Sequence, residues 1–299
     1  MLASLQTTKR PCPHGTDKPI HSKKIGRVEL DFAKLAIALA IIDYMSGNNA
    51  YDRYNLTVDP RKSGTWGQII LRNWSGKASD GLSKEFDGHS KWTEEGDKVP
   101  YIRDLVETTF DCEHLKSVRI FLANNAIIAA HRDYMEFKKG FRRLHIPLRT
   151  NGNSMNSEGS VVYHMEVGGI YYLDGREAHA GGNLGAESRL HLVLDFCPDQ
   201  PVASLFQRPE RNLAVGEMDF VARPALSDVD LDNLIDGLAG VISPRNYGTV
   251  VGLINLLPFT NDFDTAAVYE VVLDVAVRSG KSDVIELARA DRRDFLGFE

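Results

Sequence analysis

Two histidines and one aspartate stand where they can hold a metal: His131 and Asp133 at i and i+2, and His179 further along the 299-residue chain. In a strand, residues i and i+2 project to the same side, so imidazole and carboxylate reach one point beside the backbone. One more imidazole completes a face of an octahedral ferrous ion, Fe(II), and leaves three positions for a bidentate co-substrate and dioxygen (O2). Among the nine histidines, His179 in Glu177-Ala178-His179-Ala180 is the best third ligand, because it follows a Gly-rich turn and precedes the strand that opens with Arg189. Its rivals, His164 and His191, read as hydrogen-bonded histidines inside strands. A bare His-x-Asp arises by chance about once in such a chain. The weight lies in the set, since both ligand groups and Arg189 fall within one β-rich segment. Arg189 is placed to pair with the distal carboxylate of a dicarboxylate co-substrate through a planar fork that lysine does not match.

The elements that must position these groups follow from periodicity. Short runs of β-type residues separated by turns cover Val118–Leu122, Ala126–Ala130, Arg143–Leu148, Val161–Met165, Ile170–Leu173 and Arg189–Phe196, a spacing that predicts a sandwich or barrel. Arg143-Leu144-His145-Ile146 and Arg189-Leu190-His191-Leu192 alternate alike, which sends Arg and His to one face and aliphatic groups to the other. A charged pocket inside a barrel is the consequence. Asp31 caps a predicted helix running to about Met45, and Pro100 opens another through Phe110. Long loops are expected between 47 and 99. Beyond Pro224 the period becomes helical, with predicted helices over 230–242, 244–257 capped by Ser243, 264–278 ending at Gly280, and a last one capped by Ser282 and running to about Asp291. Asp174 and Asp195 read as strand-closing carboxylates. The expected organisation is a flexible tail over 1–24, a β domain over 25–205 and a helical subdomain over 225–299, whose helices pack on the barrel or form a homodimer contact.

Composition narrows the function classes. A formal charge of −6 and a hydrophobic share of 43% describe a globular chain with a real core and no field that gathers phosphates, so no nucleic acid partner is expected. Cys12, Cys112 and Cys197 form no CxxC or Cys/His cluster, which points to a reducing, cytoplasmic setting without disulfides. No apolar run approaches the roughly 20 residues of a membrane span, and Leu35–Ile42 stops at Asp43. The first 24 residues lack the apolar stretch of a secretion signal.

The stretch Asn125 to Tyr134 around His131-Arg132-Asp133 resembles the bacterial cis-proline hydroxylases of the aspartyl/asparaginyl β-hydroxylase-like group. So do Arg143-Leu144-His145-Ile146-Pro147-Leu148, His164-Met165, Gly169 to Asp174, His179, and Arg189 to Phe196. The resemblance runs from Ile25-Gly26 to the C-terminal helices. It implies a mainly β fold with helices, a double-stranded β-helix (jelly-roll, cupin-like) core plus a C-terminal helical subdomain. It also implies Fe(II) on His131, Asp133 and His179, 2-oxoglutarate anchored by Arg189, ascorbate as a supporting reductant, and hydroxylation of an unactivated carbon of a free, cyclic L-amino acid such as proline or pipecolate. For the substrate carboxylate, Arg143 is the position matched to that role, with Arg119 as second choice, and Trp74 caps the pocket from a loop. The chain departs from the family pattern at Ala130, where Pro is usual, at Gly169-Ile170-Tyr171-Tyr172 in place of Glu-Ile-Trp-Phe, and at Ala180-Gly181 in place of a bulkier pair. These changes reshape the pocket wall and leave the metal set intact.

Four other readings use the same residues. The chemistry can act on an acyclic or carrier-bound amino acid, with 181–185 and 47–99 forming a wider mouth. A cupin-like binding protein would release no succinate. Zinc hydrolysis fits the three ligands but leaves Arg189 without a task, and halogenation is disfavoured because Asp133 fills the place a chloride would take.

Overall fold

The structure, a computed structural model, describes residues 20–46, 62–81, 85–133, 141–197 and 200–297. Its strands are β1 Lys23–Arg27, β2 Lys62–Asn73, β3 Lys91–Trp92, β4 Leu115–His131, β5 Arg142–Arg149, β6 Ser154–Glu158, β7 Val161–His164, β8 Gly169–Leu173, β9 His179–Asn183, β10 Arg189–Phe196 and β11 Asp219–Phe220. The helices are α1 Phe32–Met45, α2 Pro100–Thr109, α3 Pro209–Asn212, α4 Asp228–Val241, α5 Tyr247–Ile254, α6 Leu257–Thr260, α7 Val268–Ser279 and α8 Ser282–Leu296.

The strands follow one antiparallel path, β1-β8-β5-β10-β4-β9-β6-β7-β11, with β2 added on β4 and β3 on β2. β4 joins the two halves. Its first part pairs with β10, from Leu115 to Ala123, and its last part with β9, from Ala126 to His131. Between them Asn125 has φ 43°, a left-handed conformation that Asn tolerates better than most residues, and the strand turns there from one half-sheet to the other. The result is the curled sheet of a jelly roll, the form that the family resemblance implied, and the strand spacing had indicated a sandwich or barrel.

Alternation then sorts the side chains. Leu190, Leu192, Leu194 and Phe196 of β10 join Leu144, Ile146 and Leu148 of β5 and Val118, Ile120 and Leu122 of β4 in the largest apolar cluster, which lies outside the barrel under α1 and α2. The other face of the same strands carries Arg119, Arg143, His145, Arg189, His191 and Asp195, all buried. The apolar core thus seals the sheet from behind while the inward face stays polar. Asp31 caps α1 as expected, its carboxylate accepting from the N–H groups of Ala33 and Lys34. A second cluster holds the C-terminal helices together, with Leu231, Ile235, Val250, Val272, Val275 and Val284 in its interior. It also takes in Ala130 and Ala178, the residues before His131 and His179. Each predicted histidine ligand therefore stands on a residue packed against the helical bundle.

Several expectations need correction. The stretch read as loops contains β2, and the Gly-rich segment after His179 is β9. β6, with the sequence Ser-Met-Asn-Ser-Glu, was not anticipated at all. β6 and β9 lack β-branched residues and are held by ladders on both sides, β9 between β4 and β6, and β6 between β9 and β7. Ser243 does not cap a helix. Its N–H and hydroxyl both donate to Asn246 Oδ1, and α5 starts only at Tyr247. Ser282 is the first helical residue of α8 rather than its cap. The tail expected over 1–24 falls largely outside the described residues, but Ser22 is buried and Lys23 already belongs to β1. Among the described residues no helix is long and apolar enough to cross a membrane. Cys112 and Cys197 are free thiols, and Cys12 lies outside the described residues.

Candidate metal centre

His131 closes β4 and His179 opens β9, and the β4–β9 register sets them opposite each other. Their ring centroids are 4.4 Å apart. Asp133 follows two residues after His131, its backbone N–H donating to Gly175 O at 2.6 Å in the turn before β9. Its carboxylate lies between the rings, Oδ1 3.3 Å from His131 Nε2 and Oδ2 3.4 Å from His179 Nε2. One ligand atom from each of the three residues lies within 4.8 Å of the others. All three side chains are at most 8% exposed, so water competes little for the site.

Proton placement on the rings follows from their other partners. His131 Nδ1 stands 2.8 Å from Ala129 O and His179 Nδ1 2.8 Å from Glu177 O. A carbonyl can only accept, so each Nδ1 carries a proton, and each Nε2 is left directed at Asp133, where it can donate to the carboxylate or, once deprotonated, bind a metal. Two imidazole lone pairs and one carboxylate make a donor set suited to a divalent transition metal. Burial alone would raise the Asp133 carboxyl, but Arg143 beside it and the two imidazoles outweigh burial and hold it well below the usual carboxylate range. It is an anion at neutral pH.

Arg189 lies along the same strand edge. It is buried, and a Cβ placed on Gly181, two residues after His179 in β9, would meet its Nη1 at 3.3 Å. Residues two apart in a strand are separated by about 7 Å, so the guanidinium sits a short step from the triad. Its donors go to neutral groups: Nη2 to Asn156 Oδ1 at 2.7 Å, Nε to His191 Nε2 at 3.0 Å, and Nη1 weakly to Met155 O and Gly182 O. Among the described residues no carboxylate pairs with it. Burial pushes it down to about 10, so it stays charged at neutral pH. A buried cation held only by neutral groups is costly unless an anion joins it.

The two arginines expected to meet a substrate carboxylate face carboxylates of the chain itself. Arg143 Nη1 donates to Asp133 Oδ2 at 2.6 Å, and its Nε donates to Asp195 Oδ1 at 2.8 Å. Arg119 Nη2 lies 3.2 Å from Asp195 Oδ2, with its guanidinium carbon 4.6 Å above the Phe121 ring. Trp74 follows β2 by one residue and is half-buried. Since Arg72 pairs with Val118, the register carries Trp74 toward the end of the sheet where Ser117 and Asp195 lie. The rivals of His179 are elsewhere: His164 Nδ1 is 2.8 Å from Ser154 O, and His191 packs against Arg189 and His145. Asn156, Gly175 and Asn255 are site residues that sequence reasoning missed, and Asp195, read as a strand-closing carboxylate, lies inside the site. A signal existed for Asp195, because it shares the strand parity of Arg189 and so faces inward.

Two comparisons bear on this arrangement. Residues 39–198 match the family description "Aspartyl/Asparaginyl beta-hydroxylase", and residues 203–297 match "L-proline 3-hydroxylase, C-terminal". An L-proline cis-4-hydroxylase of Rhizobium meliloti (strain 1021) is 29% identical over 274 residues, covering 91% of this chain and 95% of the relative. An L-proline cis-3-hydroxylase of Streptomyces sp is 26% identical over 290 residues, covering 92% and 94% respectively. Among solved structures, the non-heme alpha ketoglutarate dependent carbocyclase SnoK is similar at 12% identity and TM-score 0.38, over 67% of this chain and 92% of that one.

Proposed function

We propose that this chain, which belongs to the aspartyl/asparaginyl β-hydroxylase family, hydroxylates an unactivated carbon of a free, cyclic L-amino acid, proline or a close homologue, using Fe(II), 2-oxoglutarate and dioxygen. It is an oxidoreductase of the dioxygenase type. The overall reaction balances as substrate C–H plus 2-oxoglutarate plus O2 giving substrate C–OH plus succinate plus carbon dioxide. A ferrous ion would be held by His131 Nε2, Asp133 and His179 Nε2, and it supplies the redox chemistry. The chain's own work is to place the reactants and exclude water.

The observation that carries the reading is the buried Arg189 with no acidic partner among the described residues, one strand step from three inward-facing metal donors. A dicarboxylate that reaches the metal at one end presents its other carboxylate to that guanidinium, whose planar fork matches it. Asn156 and His191 keep the fork oriented. Zinc hydrolysis leaves this cation without a task, and a passive cupin-like binder is separated by releasing no succinate. Trp74 is retained as a substrate contact at the rim, while Arg143 reaches Asp133 and Arg119 neutralises Asp195.

The test is anaerobic incubation of the full chain with Fe(II) and 2-oxoglutarate, followed by air and a panel of free amino acids. The expected result is succinate released together with a product one oxygen heavier, strongest with proline or another cyclic amino acid. Succinate with acyclic or carrier-bound amino acids alone would move the substrate class. No succinate with any of them would leave the binding-protein reading standing.

A further inference from the structure

Asp195 is fully buried, yet it is the most heavily contacted carboxylate of the barrel interior. Its Oδ1 accepts from Arg143 Nε at 2.8 Å. Its Oδ2 accepts from Ser117 Oγ at 2.7 Å, lies 3.2 Å from Arg119 Nη2, and takes a longer contact of 3.4 Å from Arg143 Nη2. Strand register puts these groups in one row, Ser117 opposite Asp195 and Asp195 opposite Arg143. With Asp195 gripping one edge of the guanidinium, Nη1 is aimed at Asp133 Oδ2, 2.6 Å away. Among the described residues no guanidinium contacts Oδ1, the oxygen that faces His131.

From this row we infer that Arg143 is a positioning residue: held by Asp195, it ties up one oxygen of Asp133 so that the carboxylate offers a metal only the other. The inference rests on the metal role proposed above. Its chemical sense is economy of positions. A carboxylate that bound through both oxygens would occupy a place needed by the bidentate co-substrate or by dioxygen. Removing the guanidinium frees Oδ2 and closes that place. The row also explains why two inward arginines are stable in the barrel, since each buried cation has a buried anion beside it.

The experiment uses the full-length protein loaded anaerobically with Co(II), with calorimetry for Co(II) and then for 2-oxoglutarate, and the Co(II) visible spectrum as the coordination readout. For Arg143→Gln, Co(II) binding is expected to persist while 2-oxoglutarate affinity falls on the order of 10- to 100-fold, with altered Co(II) bands before the co-substrate is added. Asp195→Asn should shift both in the same direction by less. Arg143→Lys should recover part of the loss, because an ammonium can still reach one oxygen. Should Arg143→Gln fail to fold, Ser117→Ala loosens the same row by one hydrogen bond and is expected to weaken 2-oxoglutarate about threefold at an unchanged melting temperature. Variants with wild-type bands and wild-type 2-oxoglutarate affinity overturn the inference. So does a defect confined to the KM for the amino acid, which would return Arg143 to the substrate carboxylate. A wild-type protein that takes up no Co(II) removes the metal reading and this inference with it.

Discussion

A methyl group at residue 175 would stand 2.6 Å from the Cβ of Asp133 and 2.8 Å from its Oδ2. Because the backbone N–H of Asp133 is also tied to Gly175 O, the aspartate cannot retreat without breaking that bond. Gly175→Ala is therefore expected to lower Co(II) affinity by about tenfold or more with little change in far-UV circular dichroism, and an unchanged titration would show that Asp133 is not a ligand. Arg189 gives the complementary case. Truncating a charge that pairs a desolvated partner costs on the order of 2 to 5 kcal/mol, so Arg189→Ala should sharply weaken 2-oxoglutarate while leaving Co(II) binding near wild type. Gly181→Ala crowds the same guanidinium at 3.3 Å and should produce a milder loss of the same kind. Equal damage to metal and co-substrate binding in the Arg189 variant would count against a dedicated anion site.

The elements matter through what stands behind the ligands. The N–H of Ala130, in β4, donates to Asn255 Oδ1 at 2.8 Å, and Asn255 is fixed in turn by its Nδ2 on Val251 O in α5. Arg132 reaches the end of α8, its N–H on Phe295 O and its Nη1 on Leu296 O. The metal-bearing end of β4 is thus fastened to the helical bundle at positions 130 and 132, on either side of His131. A proline at position 130 would have no N–H to offer, so the tie depends on the N–H that Ala130 carries. Asn255→Leu leaves that donor buried and unpaired, an expected cost of about 1 to 3 kcal/mol in urea unfolding. Asn255→Asp keeps an acceptor and should recover most of it. Loss of Co(II) affinity in the first variant and its return in the second would separate support of the ligand strand from general packing.

For the molecule as a whole, the polar barrel interior sets an acid limit on stability. Burial first, and then the neighbouring arginines, push His145 and His191 far below the ordinary imidazole value. The folded chain refuses protons that the unfolded chain accepts below about pH 6.5. With both folded values depressed, the stabilisation is fully present above that pH and is lost as pH falls through it. Urea midpoints should accordingly be level from about pH 8 to 7 and drop steadily toward pH 5.5. A flat profile over that range would mean these imidazoles titrate like exposed ones. Apolar burial between the outer sheet face and α1 and α2, and within the C-terminal helices, lets the interior remain this polar without dissolving the fold.

His131 and Asp133 were legible from the sequence because an i to i+2 relation is local, although β4 ends at His131 and the Asp133 N–H on Gly175 O, not strand geometry, fixes the aspartate. The same logic exposed Arg189 and the inward arginine and histidine rows, the caps at Asp31 and Gly280, and the apolar faces of the long helices. Tertiary structure decided the rest. Only the β4–β9 register brings His179, rather than His164 or His191, opposite His131. Only the row across β4, β10 and β5 shows Arg119 and Arg143 spending their charge on Asp195 and Asp133. β6 and β9 were silent in the sequence because their polar and glycine residues carry no strand preference of their own; hydrogen-bond ladders on both sides supply what the side chains do not. Local spacing encodes direction, whereas partnership between distant strands is a property of the packed sheet.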